Sequence, residues 1–195
     1  MKKLNVMMGL LLISGSVFAQ INWAADKSHS KVGFNVTHMV VAEVEGKFNE
    51  FEAKVVSTTE DFNGADVEFT AKTASVDTDN EGRDKHLKSD DFFNAELFPE
   101  IKFKGKLVKE NGKYFLKGDF TMRDVTKPVT FDVTYGGTVN TGRGFKSGFK
   151  VNGTVKRFDY GLKWNKALEA GSLVVADDVQ IICKIELNKE VPKQP

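Results

Sequence analysis

Apolar and polar residues alternate with a period of two along most of this chain. Between residues 101 and 107 the odd positions carry Ile, Phe, Gly and Leu, and the even positions carry only Lys. The alternation recurs in segments 32–38, 67–71, 114–122, 129–135, 149–155 and 179–187. A period of two indicates β-strands with one buried face and one solvated face. The pattern therefore predicts a chain built almost wholly from half-buried strands.

One predicted strand changes phase near its middle. Apolar residues and glycine occupy even positions from Val44 to Phe48, but apolar residues occupy odd positions from Phe51 to Val55. A bulge at 49–50 would keep both sets on the inner face and bend the strand. With this strand the chain has eight main strands, and a short additional one is expected at residues 21–24.

Eight antiparallel strands that each have one apolar face can bury that face by closing into a barrel. A two-sheet sandwich would bury it as well, so both arrangements are open at this stage. The pair Asn111 and Gly112 predicts a two-residue type I′ turn, and Gly136–Gly137 predicts the start of a flexible loop that runs to Gly144. Glycines at inward positions 46, 105, 118 and 153 predict either space inside the fold or sharp bends in its strands.

Two segments, 79–93 and 157–170, interrupt the alternation. The first has acidic residues in its first turn and Lys85, His86 and Lys88 later, an order that suits the helix dipole. The second is less regular and contains Trp164. We expect one or two short helical pieces that lie across a barrel end.

The first nineteen residues have the layout of a secretory signal peptide. Lys2 and Lys3 precede a short apolar run from Val6 to Ile13, and residues 17–19, Val-Phe-Ala, place small side chains at the cleavage positions. The run is well short of the roughly 20 residues that span a bilayer, so no transmembrane segment is expected. We expect removal of residues 1–19, and a single domain of residues 20–195 in the periplasm.

Charge argues against nucleic acid as a partner. Without Lys2 and Lys3 the chain has 26 basic and 27 acidic residues, whereas binding to nucleic acid depends on an excess of basic side chains. Cys183 is the only cysteine, so the fold depends on its apolar core instead of an internal disulfide.

Reactive residues do not form a recognisable catalytic or metal-binding pattern. After residue 19 the sequence has no Gly-x-Ser-x-Gly motif, and its histidines are His29, His38 and His86. His29 and His38 are nine positions apart, which places them on opposite faces of a straight strand. Residues 77–82 resemble the start of a calcium loop, but Lys88 stands where such a loop has glutamate. We therefore expect no catalytic residues, no metal and no cofactor.

Phenylalanine dominates the aromatic residues, with 16 Phe against 3 Tyr and 2 Trp. Because Phe carries a large apolar area and no polar group, the composition fits either a filled core or a cavity occupied by lipid. In the second interpretation the candidate lining residues are Phe34, Val36, Phe48, Phe69, Phe103, Phe120, Phe131, Phe149 and Trp164. His38, which shares the inward parity at a strand end, is a candidate to contact a polar head group, as are Arg83 and Arg157.

The residues resemble those of the YceI-like proteins over nearly all of 20–195. The similarity begins with Trp23-x-x-Asp26-x-x-His29-Ser30 and is most specific at Arg83-Asp84-Lys85-His86-Leu87-Lys88-Ser89. It continues through Thr126-Lys127-Pro128-Val129 and Arg157-x-Asp159-x-Gly161. Asp124 departs from the pattern, in which a glycine is expected before Thr126.

The resemblance implies an eight-stranded antiparallel, lipocalin-like extended β-barrel, usually periplasmic. It implies an interior that binds a polyisoprenoid, an isoprenoid quinone or a similar long-chain amphiphile, and links to quinone handling and stress responses. Two other functions stay open: an exported enzyme that acts on an isoprenoid-type substrate with His29 or His38 as base, and a filled barrel that acts through protein contacts. A homodimer formed through an exposed edge or lid is open as well.

Overall fold

A computed structural model of the chain describes residues 20–166 and 173–191. Its strands are β1 (Ile21–Ala25), β2 (Lys31–His38), β3 (Ala42–Phe48), β4 (Phe51–Ser57), β5 (Ala65–Lys72), β6 (Val76–Asp77), β7 (Glu100–Glu110), β8 (Lys113–Met122), β9 (Val125–Asn140), β10 (Phe145–Lys156) and β11 (Val175–Lys189). The helix α1 covers Glu81–Lys88, and 3₁₀ turns cover Thr73–Ser75 and Arg157–Tyr160. Neither α1 nor any other described helix has the length and apolarity to cross a membrane. The predicted signal peptide, residues 1–19, lies outside the described residues.

The strands form one closed antiparallel barrel. Its wall has eight strand positions, which are called staves because some of them are shared by two shorter strands. Two staves are broken in the middle, one into β1 and β2 and the other into β3 and β4. The long strand β11 closes the barrel, since it pairs with both parts of the first stave: Leu187 lies opposite Ala25, and Ile181 lies opposite Phe34. The prediction of a barrel is confirmed, and the sandwich alternative is wrong.

The phase change predicted at 49–50 is the point at which the second stave divides. Phe48 and Phe51, on either side of the division, are both buried. The backbone N–H of Asn49 donates to the carbonyl oxygen of Ser75, so the chain between β5 and β6 holds the break. The wall bends there while its apolar residues stay on the inner face.

The turn between β7 and β8 is as predicted, but the turn between β9 and β10 is not. Asn111 and Gly112 have φ of 50° and 79°, the signs required by a type I′ turn. The flexible loop expected from Gly136 to Gly144 is wrong, because β9 continues to Asn140. Gly136 is instead a bulge: its neighbours Gly137 and Tyr135 pair with consecutive residues of β10.

An aromatic plug closes the end of the barrel that carries the Asn111–Gly112 turn, which we call the lower end. Phe62, from the loop between β4 and β5, is only 1% exposed. The centroid of its ring lies 5.0 Å from that of Trp23, 5.6 Å from Tyr135 and 5.1 Å from Phe149. These four residues form the aromatic plug.

The upper end of the barrel is crossed by α1 and by residues 157–166. The side chain of Asn80 caps α1 by accepting a hydrogen bond from the backbone N–H of Arg83 at 2.9 Å. Phe92 and Phe93, which follow the helix, are buried against the barrel core. The second expected helical segment forms only the short turn Arg157–Tyr160, and its residues 167–170 lie outside the described residues.

Candidate functional site

The barrel encloses a cavity of ≈ 200 Å³. Apolar side chains from all eight staves line it, and Arg157 is the one charged residue among the described lining residues. An engineered cavity of ~150 Å³ with a similar lining stays dry and takes up apolar molecules. This interior is therefore suited to an apolar ligand.

The cavity is elongated along the barrel axis. On β7 its lining extends from Ile101 to Leu107, which corresponds to about 20 Å of strand. The inner face of β11 is only half-buried, because the cavity reaches it; this face comprises Val179, Ile181, Cys183 and Ile185. Phe149 belongs to both the wall and the aromatic plug, so the plug is the lower boundary of the cavity. A slender, extended ligand fits this shape.

Eight of the nine lining residues expected from the sequence lie on the cavity wall. They are Phe34, Val36, Phe48, Phe69, Phe103, Phe120, Phe131 and Phe149. Trp164 does not lie on the wall, so its expected placement is wrong. Its ring packs against His86 and Phe92 in the cover of the upper end, with centroid distances of 5.1 and 5.3 Å. Contact of the eight wall residues with a ligand stays a prediction.

Two of the three head-group candidates do not line the cavity. His38 is the last residue of β2, where it pairs with Ala42 and Val175 at the barrel rim. Arg83 is exposed, and its Nε and Nη2 atoms donate to the hydroxyl and carbonyl oxygens of Thr78 at 2.8 and 2.7 Å. The Arg83 guanidinium therefore stabilises the local structure at the start of α1.

Arg157 does line the cavity, and it is 2% exposed. Its guanidinium donates to four backbone carbonyl oxygens, those of Leu162, Trp164, Val175 and Ala176, at 2.7–2.9 Å. Burial lowers the pKa of Arg157 from its ordinary value, but an arginine stays protonated in proteins. The charge is thus held at the upper end of the cavity by carbonyl dipoles.

Two of the four carbonyl partners of Arg157, those of Val175 and Ala176, lie at a bulge in β11. Val175 pairs with His38 and Val179 with Val36, so three residues of β11 lie opposite one residue of β2. The bulge turns carbonyl groups toward the guanidinium. The nearby carboxylate of Asp159 pairs with the Nζ atom of Lys127 at 3.1 Å instead of with Arg157.

The upper part of the cavity is lined by residues that period-two reasoning missed. They lie in the two segments that interrupt the alternation, and they are Leu87, Phe92, Phe93 and Leu162. Their signal in the sequence is only that they are apolar residues in otherwise polar, irregular stretches. They give the cavity an apolar upper boundary between the barrel and its cover.

Asp26 and His29, from the first recognised motif, lie away from the cavity beside Glu186. The Nδ1 atom of His29 is 3.1 Å from Asp26 Oδ2 and 3.8 Å from Glu186 Oε1, a set of atoms that also suits a metal ion. The Nζ atom of Lys146 lies 2.8 Å from Asp26 and also contacts Glu186, so a side-chain cation already occupies this position. Hydrogen bonds from Lys146, Ser28 and His29 hold the pKa of Asp26 well below its usual range. The cluster ties the β1–β2 connection to β10 and β11.

A closed antiparallel barrel of eight strands with an apolar interior defines a class of proteins that enclose small apolar molecules. Within that class the chain belongs to the YceI-like family, because the sequence model of the YceI-like domain matches residues 23–187. The resemblance inferred from the motifs is thereby confirmed.

Relatives and solved structures agree with this assignment. A UPF0312 protein of Staphylococcus aureus strain N315 is 36% identical over 169 residues, which covers 86% of this chain and 97% of the relative. The crystal structure of the Campylobacter jejuni YCEI protein is 30% identical, with a TM-score of 0.68 over 85% of this chain and 96% of that chain. A polyisoprenoid binding domain from Saccharophagus degradans shares the fold, with a TM-score of 0.63 at 13% identity, over 86% of this chain and 98% of that one.

Proposed function

We propose that the protein is a periplasmic carrier that holds a long apolar lipid, of the polyisoprenoid or isoprenoid quinone class, inside its barrel. The observation that carries this proposal is the elongated apolar cavity, in which Arg157 at the upper end is the one charged residue among the described lining residues. The structural neighbour described as a polyisoprenoid binding domain supports the choice of ligand class. The layout of residues 1–19 supports export.

The free energy of binding would come mainly from the apolar wall. Each methylene group removed from water contributes about 0.8 kcal/mol. Ordering a flexible chain and the surrounding side chains costs several kcal/mol in return. A prenyl chain has enough carbon atoms to leave a large surplus, and the aromatic plug would limit the length that fits.

The polar end of the ligand would lie at the upper end of the barrel, near Arg157. Four of the five N–H groups of a guanidinium are engaged here by carbonyl oxygens. The remaining N–H of Nη2 has no acceptor among the described residues, and in this proposal it donates to an oxygen of a head group. Arg157 would thus orient the ligand, while the apolar wall supplies most of the affinity.

The described residues support holding a ligand over converting one. The imidazole of His29 lies away from the cavity with Asp26, and His38 is not part of the wall. Cys183 faces the cavity, but burial raises the pKa of its thiol to about 11. The sulfur is therefore protonated, and a poor nucleophile, at neutral pH. The comparisons likewise support a binding protein rather than an enzyme.

Mass spectrometry of the protein purified from its native cells tests the proposal, once under native conditions and once after organic extraction. We expect a stoichiometric adduct that extracts as a prenylated or similar long-chain lipid. A Cys183→Trp variant fills the cavity and should lose the adduct, whereas Ile182→Trp, on the outer face of the same strand, should retain it. Thermal unfolding establishes that both variants fold. A bare polypeptide that also takes up no added polyprenyl lipid would refute the carrier.

A further inference from the structure

The turn between β2 and β3 forms an exposed apolar ridge at the upper end of the barrel. Met39, Val40 and Val41 expose 45%, 65% and 87% of their surfaces. Leu173, which is 37% exposed, lies beside them, since the backbone N–H of Met39 donates to the carbonyl oxygen of Val174 at 2.8 Å. Met39, Val40, Val41 and Leu173 are called the apolar tip below.

Two residues of this turn adopt a backbone conformation that their side chains disfavour. Met39 and Val40 have φ of 50° and 66°, a conformation that glycine and asparagine adopt easily and a β-branched valine does not. At the lower end the chain places Asn111 and Gly112 in the same region of φ. Backbone conformations that a residue adopts despite its intrinsic preference are typical of functional sites. Glycine or asparagine would form this turn more easily. The residues of the tip are therefore explained by a role for their exposed apolar side chains and not by the turn itself.

The apolar tip lies close to the upper end of the cavity wall. Val36 on β2 lines the cavity and precedes Met39 by three residues. Val175, which pairs with His38 at the base of the turn, also lines the cavity. Three residues of strand span about 10 Å. The base of the tip therefore lies within about 10 Å of the upper end of the cavity.

Charged side chains of both signs accompany the apolar tip. Val40 and Leu173 border a groove that Glu43, Asp177 and Asp178 also line, and two lysines lie on the neighbouring segment. Lys163 and Lys166 are exposed on the neighbouring segment, and the carbonyl oxygen of Lys166 accepts a hydrogen bond from the backbone N–H of Val174 at 2.9 Å. Apolar side chains beside ammonium groups complement a phospholipid surface, where phosphates lie above acyl chains. A narrow ridge of four side chains is also far smaller than the ~800 Å² that each partner buries in a standard protein interface.

We propose that the apolar tip inserts into the surface of a phospholipid bilayer and so brings the upper end of the barrel against it. The bilayer is then the source or the destination of the molecule in the cavity. The bilayer contact stands without regard to the identity of that molecule. Only the transfer step rests on the proposed function.

Flotation with phospholipid vesicles tests the bilayer contact. Vesicles of phosphatidylcholine with one-fifth phosphatidylglycerol are mixed with the protein purified from its native cells, its N terminus defined by mass spectrometry. The parent should float with the vesicles. A Met39→Asn/Val40→Gly/Val41→Thr variant should partition at least tenfold more weakly, although Asn and Gly suit the positive φ and preserve the turn. The matched control is Val139→Thr, which removes a 58% exposed valine at the lower end and should leave flotation unchanged.

Three results would overturn the proposal: no flotation of the parent, equal flotation of the tip variant, or equal losses in the tip variant and Val139→Thr. Recognition of the tip by another protein without any vesicle binding belongs to the first of these. Thermal unfolding of each variant excludes misfolding as the cause of a loss. Extraction of lipid from the same preparations separates the two proposals, because a protein that floats but holds no cavity lipid refutes the carrier and retains the bilayer contact.

Discussion

The ring of Phe131 lies over Gly153, in the space that a side chain on this glycine would fill. The same relationship joins Phe34 and Gly46, which face each other across β2 and β3. Gly46 and Gly153 therefore leave no empty space on the inner wall, because a phenylalanine of the adjacent strand covers each of them. Both rings belong to the cavity wall.

Gly153→Ala should destabilise the barrel by about 1–3 kcal/mol, because the new methyl group forces the Phe131 ring from its position. Urea denaturation measures the loss. The double variant Gly153→Ala/Phe131→Leu should recover part of it, since a smaller side chain leaves room for the methyl group. Additive losses in this double-mutant cycle would show that the two residues do not interact as described.

Gly118→Ala should cost more stability than Gly153→Ala. A methyl group on Gly118 would meet the backbone of Lys104 and Gly105 on β7, which cannot rotate aside as a ring does. Comparison of the urea midpoints of the two variants tests this ranking. A Gly118→Ala protein as stable as the parent would mean that β7 and β8 can separate without cost.

Asp26→Asn should lower the free energy of unfolding by about 1–3 kcal/mol at neutral pH, through loss of its charged hydrogen bonds to Lys146 and His29. Because the pKa of folded Asp26 lies below that of the unfolded chain, this contribution is present above about pH 4. It is lost as the pH falls toward the folded pKa, so the two proteins should converge in acid. Chemical denaturation from pH 7 to pH 3 measures the difference.

The control for Asp26 is Asp66→Asn, which breaks an ion pair with Lys106 whose two side chains are 65% and 56% exposed. An exposed pair contributes roughly 0–1 kcal/mol. A constant difference between Asp26→Asn and the parent at every pH would exclude the carboxylate charge as the cause.

The thiol of Cys183 should react slowly with a small disulfide reagent at neutral pH. Burial raises its pKa to about 11, so the thiolate fraction and the rate should rise about tenfold for each pH unit between 8 and 10. An exposed thiol would level off near its ordinary pKa of about 8.5. Bound lipid should slow the reaction further, because Cys183 lies on the cavity wall. Stopped-flow measurements before and after lipid extraction test both statements.

The period-two pattern predicted the inner faces of the strands because a strand has only two faces and one of them is buried. It placed Phe103 and Phe131 on the cavity wall for this reason. It failed where no period applies: Phe62 comes from a loop, and Trp164 from an irregular segment. The partners of Arg157 are backbone carbonyls, two of them at a bulge in β11 and two in the segment after residue 160, and no side-chain pattern encodes them.

The family motifs located residues that hold the fold together more than residues that line its cavity. Asp26 and His29 tie a connection to β10 and β11, and Asp84 accepts hydrogen bonds from the backbone N–H and hydroxyl of Thr78 beside α1. Such contacts depend on a few polar atoms at fixed distances, which makes their residue types distinctive in a sequence. The apolar wall tolerates exchange among hydrophobic side chains and leaves a weaker trace.

The aromatic plug closes the lower end of the barrel, so a chain held in the cavity would enter and leave at the upper end. Because the head group would lie at the upper end, the tail of the lipid would enter the cavity first and leave it last. It would pass the same wall residues in both directions. Each additional methylene that must be withdrawn from the wall adds about 0.8 kcal/mol to the escape barrier, or roughly a fourfold longer residence. Two lipids with the same head group and different tails would therefore differ chiefly in how long they stay bound. The barrel would thus discriminate between lipids by their residence times.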